Sequence, residues 1–308
     1  MKDLGVKKRI VFPEGSDPRV SAAASRLAKE GLIQPILISS GQRVDSGVRT
    51  VSPDKKYASL YFERRRAKGI TEVEAAEIAI QPLYYAALMV AAGDADGFVG
   101  GASNTTAETI RASFQCIGAR ADVKTVSSAF IVAVRDRTFG SNGLLAMGDC
   151  AIVINPTAVE LADIAISTAR TTKTLLHTEP HVALLSFSTK GSGKDKSLDK
   201  ILEALRIVRE RDPALTIDGE LQADAALMPA IGSSKAPGSL VAGRANTLIF
   251  PDLAAGNIGV KLVERLGGAM AIGPILQGLA KPANDLSRGC SAEDVYTVAL
   301  ITALQSAA

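Results

Sequence analysis

The chain has 308 residues, of which 47% are hydrophobic and 22% charged, and its formal net charge is +3. This composition is typical of a soluble globular protein with a large core and two domains. The nearly balanced charge, the lack of Trp and the 4% of aromatic residues argue against nucleic-acid binding, which needs basic stripes interleaved with aromatic side chains.

The three cysteines, Cys116, Cys150 and Cys290, are scattered and odd in number. This favours a reducing compartment and argues against a disulfide scaffold or a zinc site. The N-terminal segment has no apolar signal core. No apolar run reaches the roughly 18 residues that a membrane span needs. We therefore expect a cytoplasmic protein with no nucleic-acid or membrane partner.

The N-terminal part alternates short apolar runs with Ala- and Leu-rich segments. The apolar runs predict strands at residues 9–13, 35–39 and 95–102. The longer segments predict helices at residues 20–31, 57–68, 71–81, 83–92 and from Thr105 onward. The strand–helix–strand spacing of the first elements implies parallel pairing. Residues 39–56 have no apolar period and predict a long loop.

The rest of the chain continues this alternation. Apolar runs predict strands at residues 125–134, 143–147, 181–188, 215–222 and 247–251, and a further run continues the pattern at 149–156. Helices are predicted at residues 157–176, 197–211, 224–231, 257–266 and 291–304. Residues 233–238 predict a loop, and residues 269–278 are assigned no element.

Four helix starts carry a capping box, in which a Ser or Thr is followed three residues later by an acid. They are Thr71–Glu74, Thr105–Glu108, Thr157–Glu160 and Ser291–Asp294. The alternation of helices with uninterrupted apolar strands predicts an α/β architecture, with parallel strands covered on both faces. No low-complexity linker separates the domains, which indicates two domains with a tight interface.

The stretch Lys281–Asp294 places a hydroxyl, Ser287, and a guanidinium, Arg288, next to a glycine and a helix start. Helix N-termini attract anions, because their free N–H groups and the helix dipole favour negative charge. The stretch is therefore either a site for a phosphate or an oxyanion, or a loop that only caps its own helix. At this point both interpretations stay open.

Other catalytic patterns fit poorly. Lys190–Lys194 follows a strand but lacks a P-loop's first glycine, since that position is Ser188, and Asp195 stands where Ser or Thr is needed. No G-x-G-x-x-G follows a strand, which argues against a dinucleotide site. His177 and His181 flank the N-terminal end of a strand, whereas sites in parallel sheets usually lie at the C-terminal ends of strands. A Ser-His-Asp hydrolase is therefore not expected.

Cys290 and Asp294 each have a structural and a chemical interpretation. A nucleophilic Cys290 needs a lowered pKa, which a helix N-terminus and Arg288 would provide. Burial as a small thiol is the favoured interpretation, since Cys is among the most buried residue types. Asp294 is either only the acidic member of a capping box or also a general base.

Three arginines, Arg19, Arg65 and Arg111, lie near turns that flank strands. Single arginines on helices are usually solvated. Together with Arg288, however, they predict a common polyanion site, because the planar, permanently charged guanidinium suits phosphate.

Over essentially its whole length the chain resembles the phosphate acetyl/butyryl transferase family, which includes the phosphate acetyltransferases (phosphotransacetylases). The motifs that carry the resemblance are Phe12–Gly15 with Asp17 and Arg19, Ala95–Gly97 with Gly100–Ala102 and Thr105–Thr106, Leu185–Gly193, Asp218–Gln222, Ala242–Asn246, Phe250–Pro251 with Ala255–Asn257, Gly273–Pro282 and Asn284–Cys290.

The resemblance implies two α/β/α domains with mainly parallel sheets, similar to isocitrate and isopropylmalate dehydrogenases, with the active site in the interdomain cleft. Domain 1 would comprise residues 1–124 and 277–308, and domain 2 residues 125–276. A homodimer, formed by domain 2, is also implied.

The implied reaction is reversible acetyl transfer between coenzyme A and inorganic phosphate, which gives acetyl phosphate. The resemblance assigns the oxyanion or acyl carbonyl to Ser287, the phosphoryl group to Arg288, and removal of the coenzyme A thiol proton to Asp294. Arg65 and Arg111 match arginines that engage phosphate or coenzyme A. A positioned base and fixed donors suit this chemistry, because the thiol is mostly protonated at neutral pH.

Further substrate-binding candidates are Arg19, Asn104, Thr105, Ser128, Lys190, Gln277 and Lys281. Family members often have His where this chain has Asn104, and Asn cannot act as an acid. No metal and no permanently bound cofactor are expected, since coenzyme A is a substrate.

Three rival interpretations remain. A butyryl or propionyl transferase would differ only in its acyl pocket, and one methylene is worth about 1–3 kcal/mol. A non-catalytic acyl-CoA-binding regulatory domain would not need Ser287, Arg288 and Asp294 together. A decarboxylating dehydrogenase would need metal carboxylates and a nicotinamide site, for which the sequence shows no pattern.

Overall fold

The computed structural model describes residues 7–39 and 47–307. The chain forms two compact units. Unit 1 comprises Met1–Arg120 and Leu279–Ala308, and unit 2 comprises Ala121–Gly278. The sequence places these boundaries after residues 124 and 276.

The described strands are numbered along the chain: β1 Arg9–Phe12, β2 Gln34–Ile38, β3 Arg49–Val51, β4 Gly97–Gly100, β5 Ser127–Ala133, β6 Leu144–Gly148, β7 Val182–Leu185, β8 Ile217–Leu221, β9 Thr247–Ile249, β10 Met270–Gln277 and β11 Ala283–Asp285.

The described α-helices are α1 Pro18–Lys29, α2 Ala58–Arg65, α3 Glu72–Ala79, α4 Pro82–Ala92, α5 Thr106–Cys116, α6 Ala158–Leu176, α7 Ser197–Arg211, α8 Ala223–Leu227, α9 Pro229–Lys235, α10 Leu253–Arg265 and α11 Ala292–Gln305. Short 3-10 turns flank α2 at Lys55–Tyr57 and Arg66–Lys68.

Unit 1 is built on a five-stranded sheet in the order β11-β4-β1-β2-β3. All four pairings are parallel, including the predicted pairing of β1 with β2. Ile10 of β1 lies opposite Gly97, and Asp285 of β11 lies opposite Gly100. Strands in parallel register end on the same side, so the residues after β1, β4 and β11 gather at one edge of the sheet.

The core of unit 1 forms where α1 and α11 pack with this sheet. Asp17 caps α1 by accepting a hydrogen bond from the Arg19 amide, and Pro18 occupies the first turn, where its missing N–H costs nothing. The helix then buries Val20, Ala23, Ala24 and Leu27 at helical spacing.

Unit 2 is built on a six-stranded sheet in the order β10-β5-β6-β9-β7-β8. β5 is antiparallel to β6 and β10, and the other pairings are parallel. Alternate residues of β7 enter different clusters: Ala183 and Leu185 pack with α10, whereas Val182 and Leu184 pack with α6 and α7. Because successive strand residues point to opposite faces, both faces of the sheet are covered, as predicted.

All four predicted capping boxes are confirmed. In each of them the hydroxyl accepts from the backbone N–H three residues on, and the acid accepts from the cap's own N–H. The ends of α7 also coincide with the prediction, at Ser197 and Arg211.

Two predictions of irregular or extended structure are wrong. The long loop predicted at 39–56 contains β3, which pairs with β2; its residues 40–46 lie outside the described chain. The apolar run 149–156 is not a strand. Instead, the Asp149 carboxylate accepts hydrogen bonds from the amides of Ala151, Ile152 and Val153, which folds the segment around that side chain.

Three helix boundaries also differ from the prediction. Pro229 begins a new helix, so the helix predicted at 224–231 is two helices, and α9 runs into the loop predicted at 233–238. α10 begins at Leu253 rather than at 257, because the Asp252 carboxylate accepts from the Ala255 amide and caps it. β10 occupies the segment 269–278, to which the sequence assigns no element.

Among the described helices, none by itself is long and apolar enough to span a membrane. The pair Glu72–Ala79 and Pro82–Ala92, bent by 97°, satisfies the length and composition criteria jointly. Most residues of the second helix are buried within the protein, as in the core helix of a globular protein.

Candidate active site

Three loops meet at the edge of the unit 1 sheet where β1, β4 and β11 end. They comprise residues 13–17, 101–105 and 286–291. Gly101 has φ +105° and no room for a side chain, since a Cβ there would overlap Asp285 Oδ1 and lie 2.6 Å from the Leu286 carbonyl oxygen. The loops after β4 and β11 therefore touch through their backbones.

Glu14 organises the loop after β4. Its carboxylate accepts hydrogen bonds from four consecutive amides, those of residues 101–104, at 2.9–3.2 Å. The side-chain amide of Asn104 donates to the same carboxylate at 2.7 Å. Converging backbone N–H groups form a concave anion site, and here an internal carboxylate fills it. The Asn104 side chain therefore binds Glu14. As an amide, it cannot serve as a proton donor in acid catalysis.

Arg19 contacts all three loops and holds them together. Its Nε and Nη2 donate to the Asp17 carboxylate, and Nη2 also donates to the Ala102 carbonyl at 2.8 Å. Nη1 donates to the carbonyls of Arg288 and Cys290 at 2.8 and 2.9 Å. All five N–H groups of this guanidinium are engaged within the protein. A substrate-binding role for Arg19 stays a prediction.

Residues 287–290 form a tight turn before α11. The Cys290 amide donates to the Ser287 carbonyl at 2.9 Å, and the Gly289 amide donates to Ser287 Oγ at 3.2 Å. The Ser287 hydroxyl proton is thus left for another acceptor. Arg288 is exposed, and its guanidinium has no hydrogen-bond or ion-pair partner within the described chain. The turn presents a hydroxyl and a cation side by side.

Asp294 lies one helical turn further on. Its Oδ2 accepts from the Ser291 amide at 2.7 Å and from the Ser291 hydroxyl at 2.8 Å. Its Oδ1 has no partner among the residues that the structure describes, and the residue is exposed. One oxygen caps the helix and the other is available to a ligand.

Cys290 is buried beneath the turn and is only 7% exposed. Burial raises the pKa of its thiol, an effect that the Arg19 guanidinium opposes and the nearby carboxylates reinforce. The thiol is therefore protonated at neutral pH. A nucleophile needs the thiolate, so the interpretation of Cys290 as a buried structural thiol is favoured over a nucleophilic role.

The structure also brings Arg65, Arg111 and Arg288 near one cluster of side chains. After the hydrogen bonds from Thr105, the charges of Arg111 and Arg288 further lower the pKa of Glu108. Burial is the main cause that raises the pKa of the Tyr84 phenol, and the charges of Arg111 and Arg65 oppose this increase. These three guanidinium groups form a cationic region.

A cavity of about 460 Å³ opens beside this region. Its walls include Glu14, Asn104 and Arg111. The first turn of α4 forms another wall, and no side chain caps that helix at Gln81. Free amides and a nearby guanidinium favour an anionic group.

Thr105 caps the N-terminus of α5 and does not line the cavity. Its hydroxyl accepts from the Glu108 amide and donates to the Glu108 carboxylate. Lys281 is also engaged: its ammonium donates to the Val90 and Ala91 carbonyls at the end of α4. Binding of substrate by Thr105 and Lys281 stays a prediction.

The remaining candidates belong to unit 2 and take part in its internal networks. Ser128 is buried and donates to the Asp149 carboxylate. Gln277 is buried, donating to Ser127 and Thr168 and accepting from Thr171. Lys190 pairs with the Asp218 carboxylate. Their predicted contact with substrate stays untested.

Two acidic residues at the sheet edge are missing from the sequence-based set: Glu14 and Asp285. Asp285 is 3% exposed, and Thr106 Oγ1 donates to its Oδ2 at 2.6 Å. Burial raises its pKa to about 6. Both acids follow or end parallel strands, a position where sites concentrate, and that signal is present in the sequence.

Among the described residues, no three or more His, Cys, Asp or Glu side chains lie together in a group that could hold a metal ion. The described site presents the Ser287 hydroxyl, the Asp294 carboxylate and the arginines of the cationic region.

Comparison with known proteins agrees with the resemblance. The family profile described as phosphate acetyl/butaryl transferase matches residues 2–303. A phosphate acetyltransferase from Thermoanaerobacterium thermosaccharolyticum is 46% identical over 313 aligned positions, which cover 97% of this chain and 95% of that protein. A phosphotransacetylase structure from Streptococcus pyogenes is 44% identical and superposes with a TM-score of 0.92, covering 99% of this chain and 95% of that one.

A more distant structure shares the fold alone. The 4-hydroxythreonine-4-phosphate dehydrogenase from Klebsiella pneumoniae is 10% identical, with a TM-score of 0.54 over 98% of this chain and 100% of that one. The expected dehydrogenase-like α/β fold with mainly parallel sheets is confirmed.

Proposed function

Because the chain belongs to the phosphate acetyl/butaryl transferase family and is an acyltransferase, we propose that it catalyses reversible acetyl transfer between coenzyme A and inorganic phosphate. Acetyl-CoA and phosphate give acetyl phosphate and coenzyme A. The observation that carries the proposal is the placement of Ser287, Arg288 and Asp294 on one turn and the first turn of the helix that follows it. Coenzyme A takes part as a substrate.

The mechanism is a direct transfer in a ternary complex. In the direction of acetyl-CoA synthesis, Asp294 Oδ1 takes the thiol proton of coenzyme A. The thiolate then attacks the carbonyl carbon of acetyl phosphate. A C–S bond forms, the C–O bond to phosphate breaks, and phosphate leaves with the electron pair. The opposite direction follows the same path in reverse.

Charge develops on the carbonyl oxygen during attack, and the Ser287 hydroxyl donates a hydrogen bond to it. Arg288 binds the phosphoryl group through charge-assisted hydrogen bonds. Donors that are already in place stabilise a transition state without reorganisation. Arg65 and Arg111 bind the remaining anionic groups of coenzyme A or phosphate. No covalent acyl-enzyme is required, in keeping with the protonated, buried Cys290.

The first test measures acetyl phosphate formation from acetyl-CoA and phosphate. The same assay ranks acetyl-, propionyl- and butyryl-CoA by kcat/KM. We expect the highest value for acetyl-CoA. A higher value for butyryl-CoA would replace the acetyl assignment by the butyryl one, and lack of turnover with every short acyl-CoA would refute the proposed reaction.

The second test separates the two roles of Asp294. Asp294→Asn retains an oxygen for the helix cap but cannot take a proton, so we expect kcat to fall by about 10²–10⁴-fold. Ser291→Ala is the matched control: it removes the cap hydroxyl and leaves the carboxylate. That change should lower the free energy of unfolding by about 1 kcal/mol. Its kcat should fall much less than that of Asp294→Asn. Equal losses in the two variants would mean that Asp294 serves only as a cap.

A further inference from the structure

Asp285 joins two parts of the candidate active site. It is the last residue of β11, and the Ser287–Cys290 turn begins two residues later. Its backbone lies opposite Gly100, and the next amide, that of Leu286, donates to the Gly100 carbonyl at 2.7 Å. The main chain therefore fixes where the Ser287 turn leaves the sheet.

The side chain of Asp285 makes a second link. Thr106 Oγ1 donates to Asp285 Oδ2 at 2.6 Å. Thr106 is the first residue of α5, and the same helix carries Glu108 and Arg111 in its first two turns. This hydrogen bond thus connects the element that presents Ser287 and Arg288 to the element that presents Arg111.

Few other groups stabilise this carboxyl. Asp285 Oδ1 is buried and has no hydrogen-bond partner in the described part of the chain. The Thr109 hydroxyl lies near enough to lower the pKa of Asp285, but it donates to the Thr105 carbonyl. The charged neighbour Glu14 raises the pKa of Asp285. Burial is the largest effect, and together with the charge of Glu14 it outweighs the hydrogen bonds and raises the pKa of Asp285 to about 6.

We propose that Asp285 is a positioning residue for the acyl transfer, which it serves by holding the Ser287–Arg288 turn against the start of α5 through Thr106. This inference rests on the proposed function. Asp285 touches no substrate. Its hydrogen bond sets the distance between the oxyanion donor on one element and the arginine on the other, and small misplacements of reacting groups are costly in rate.

The central experiment compares Thr106→Val with Thr106→Ser. Valine has nearly the shape of threonine but no hydroxyl, and Thr106 is exposed, so the core stays intact. We expect Thr106→Val to lower kcat by about tenfold, with the KM for phosphate changing less than about threefold, because alignment is lost while every charge is kept. Thr106→Ser keeps the donor and should restore most of kcat.

Thr138→Val is the matched control. Thr138 is exposed and donates to the Asp136 carboxylate in unit 2, so this change breaks the same type of contact elsewhere. Its kcat should equal that of the wild type. An unchanged kcat in Thr106→Val, a loss that serine does not restore, or an equal loss in Thr138→Val would overturn the proposal.

A double-mutant cycle and hydrogen exchange complete the test. Asp285→Leu should lower kcat about as much as Thr106→Val does. The double variant should have a kcat no lower than that of the slower single variant, because both substitutions remove the same hydrogen bond. Amides 286–291 should exchange faster in Thr106→Val but not in Thr138→Val. Additive losses or unchanged exchange would refute the positioning role. The exchange measurement needs no turnover, so it tests the contact even where the proposed reaction fails.

Discussion

Asp294 uses its two oxygens differently. Oδ2 accepts both hydrogen bonds of the capping box, and Oδ1 is unengaged in the described chain. The cap fixes the carboxylate in one orientation, which would reduce the entropy lost on binding of a thiol if Asp294 is the proposed base. The two interpretations of this residue that the sequence leaves open, cap and base, are therefore compatible in one side chain.

Asp285 makes the stability of unit 1 depend on pH. Its folded-state pKa is about 6, against an ordinary value of 3.8. Between these values the unfolded chain has released the proton and the folded chain still holds it, so stability falls as the pH rises towards 6. Above pH 6 the ionised carboxyl costs on the order of 3 kcal/mol.

Asp285→Asn should therefore stabilise the protein more at pH 8 than at pH 4, which urea unfolding at both values would measure. Asp136→Asn is the control of opposite sign. Hydrogen bonds from Thr138 lower the pKa of Asp136, so its neutralisation should reduce stability at pH 8. An equal effect of Asp285→Asn at both pH values would show that its carboxyl has an ordinary pKa.

At the scale of secondary structure, side-chain caps decide where the helices begin. α10 starts four residues earlier than its apolar pattern indicates, because Asp252 caps it. Asp252→Ala should lower the free energy of unfolding by about 1 kcal/mol. Asp252→Asn keeps an acceptor that ranks with Asp as a cap and should be nearly neutral. Equal losses in the two variants, measured by urea unfolding, would contradict the capping explanation.

The described strands that the sequence analysis does not predict all lie at sheet edges. β3, β10 and β11 are the described strands that no prediction places, and each lies at the edge of its sheet. Two of them are only three residues long. β10 contains Gly273–Pro274, which indicates a turn. An edge strand tolerates Pro because one side needs no ladder hydrogen bonds.

At the scale of the whole molecule, a net charge of +3 gives little general attraction for anions. Attraction to coenzyme A should come from the local region of Arg65, Arg111 and Arg288. The Debye length falls from about 10 Å at 0.1 M salt to about 3 Å at 1 M. We therefore expect the KM for acetyl-CoA to rise with added salt.

Arg111→Gln should raise this KM at low salt and flatten its salt dependence. Arg206→Gln is the control, since it removes the same charge from α7, where Arg206 is paired with Glu203 and Glu210. Steady-state kinetics over a salt series measures both. An equal response of the two variants would show that net charge, rather than the arginine region, attracts the substrate. The homodimer stays a prediction.

Much of this protein follows from local sequence. Capping boxes at Thr71, Thr105, Thr157 and Ser291, together with apolar periodicity, predict most helices and the central strands, because these signals act over a few residues. The motif at 284–290 likewise identifies the family and directs attention to Ser287 and Arg288, and the capping box that follows it directs attention to Asp294. The sequence cannot reveal that Arg19 donates to the carbonyls of Arg288 and Cys290, because that contact spans about 270 positions.

The sequence by itself determined the α/β class, most of the elements and the family, and it predicted the residues to which the proposed chemistry is assigned. The tertiary structure alone decided which charged groups are free and which are engaged. It turned Arg19 and Asn104 towards partners within the protein, buried Asp285 beside Thr106, and left Arg288 without a described partner. The physical reason is that hydrogen bonding and desolvation depend on distances in space, which parallel strand pairing sets between residues remote in the chain.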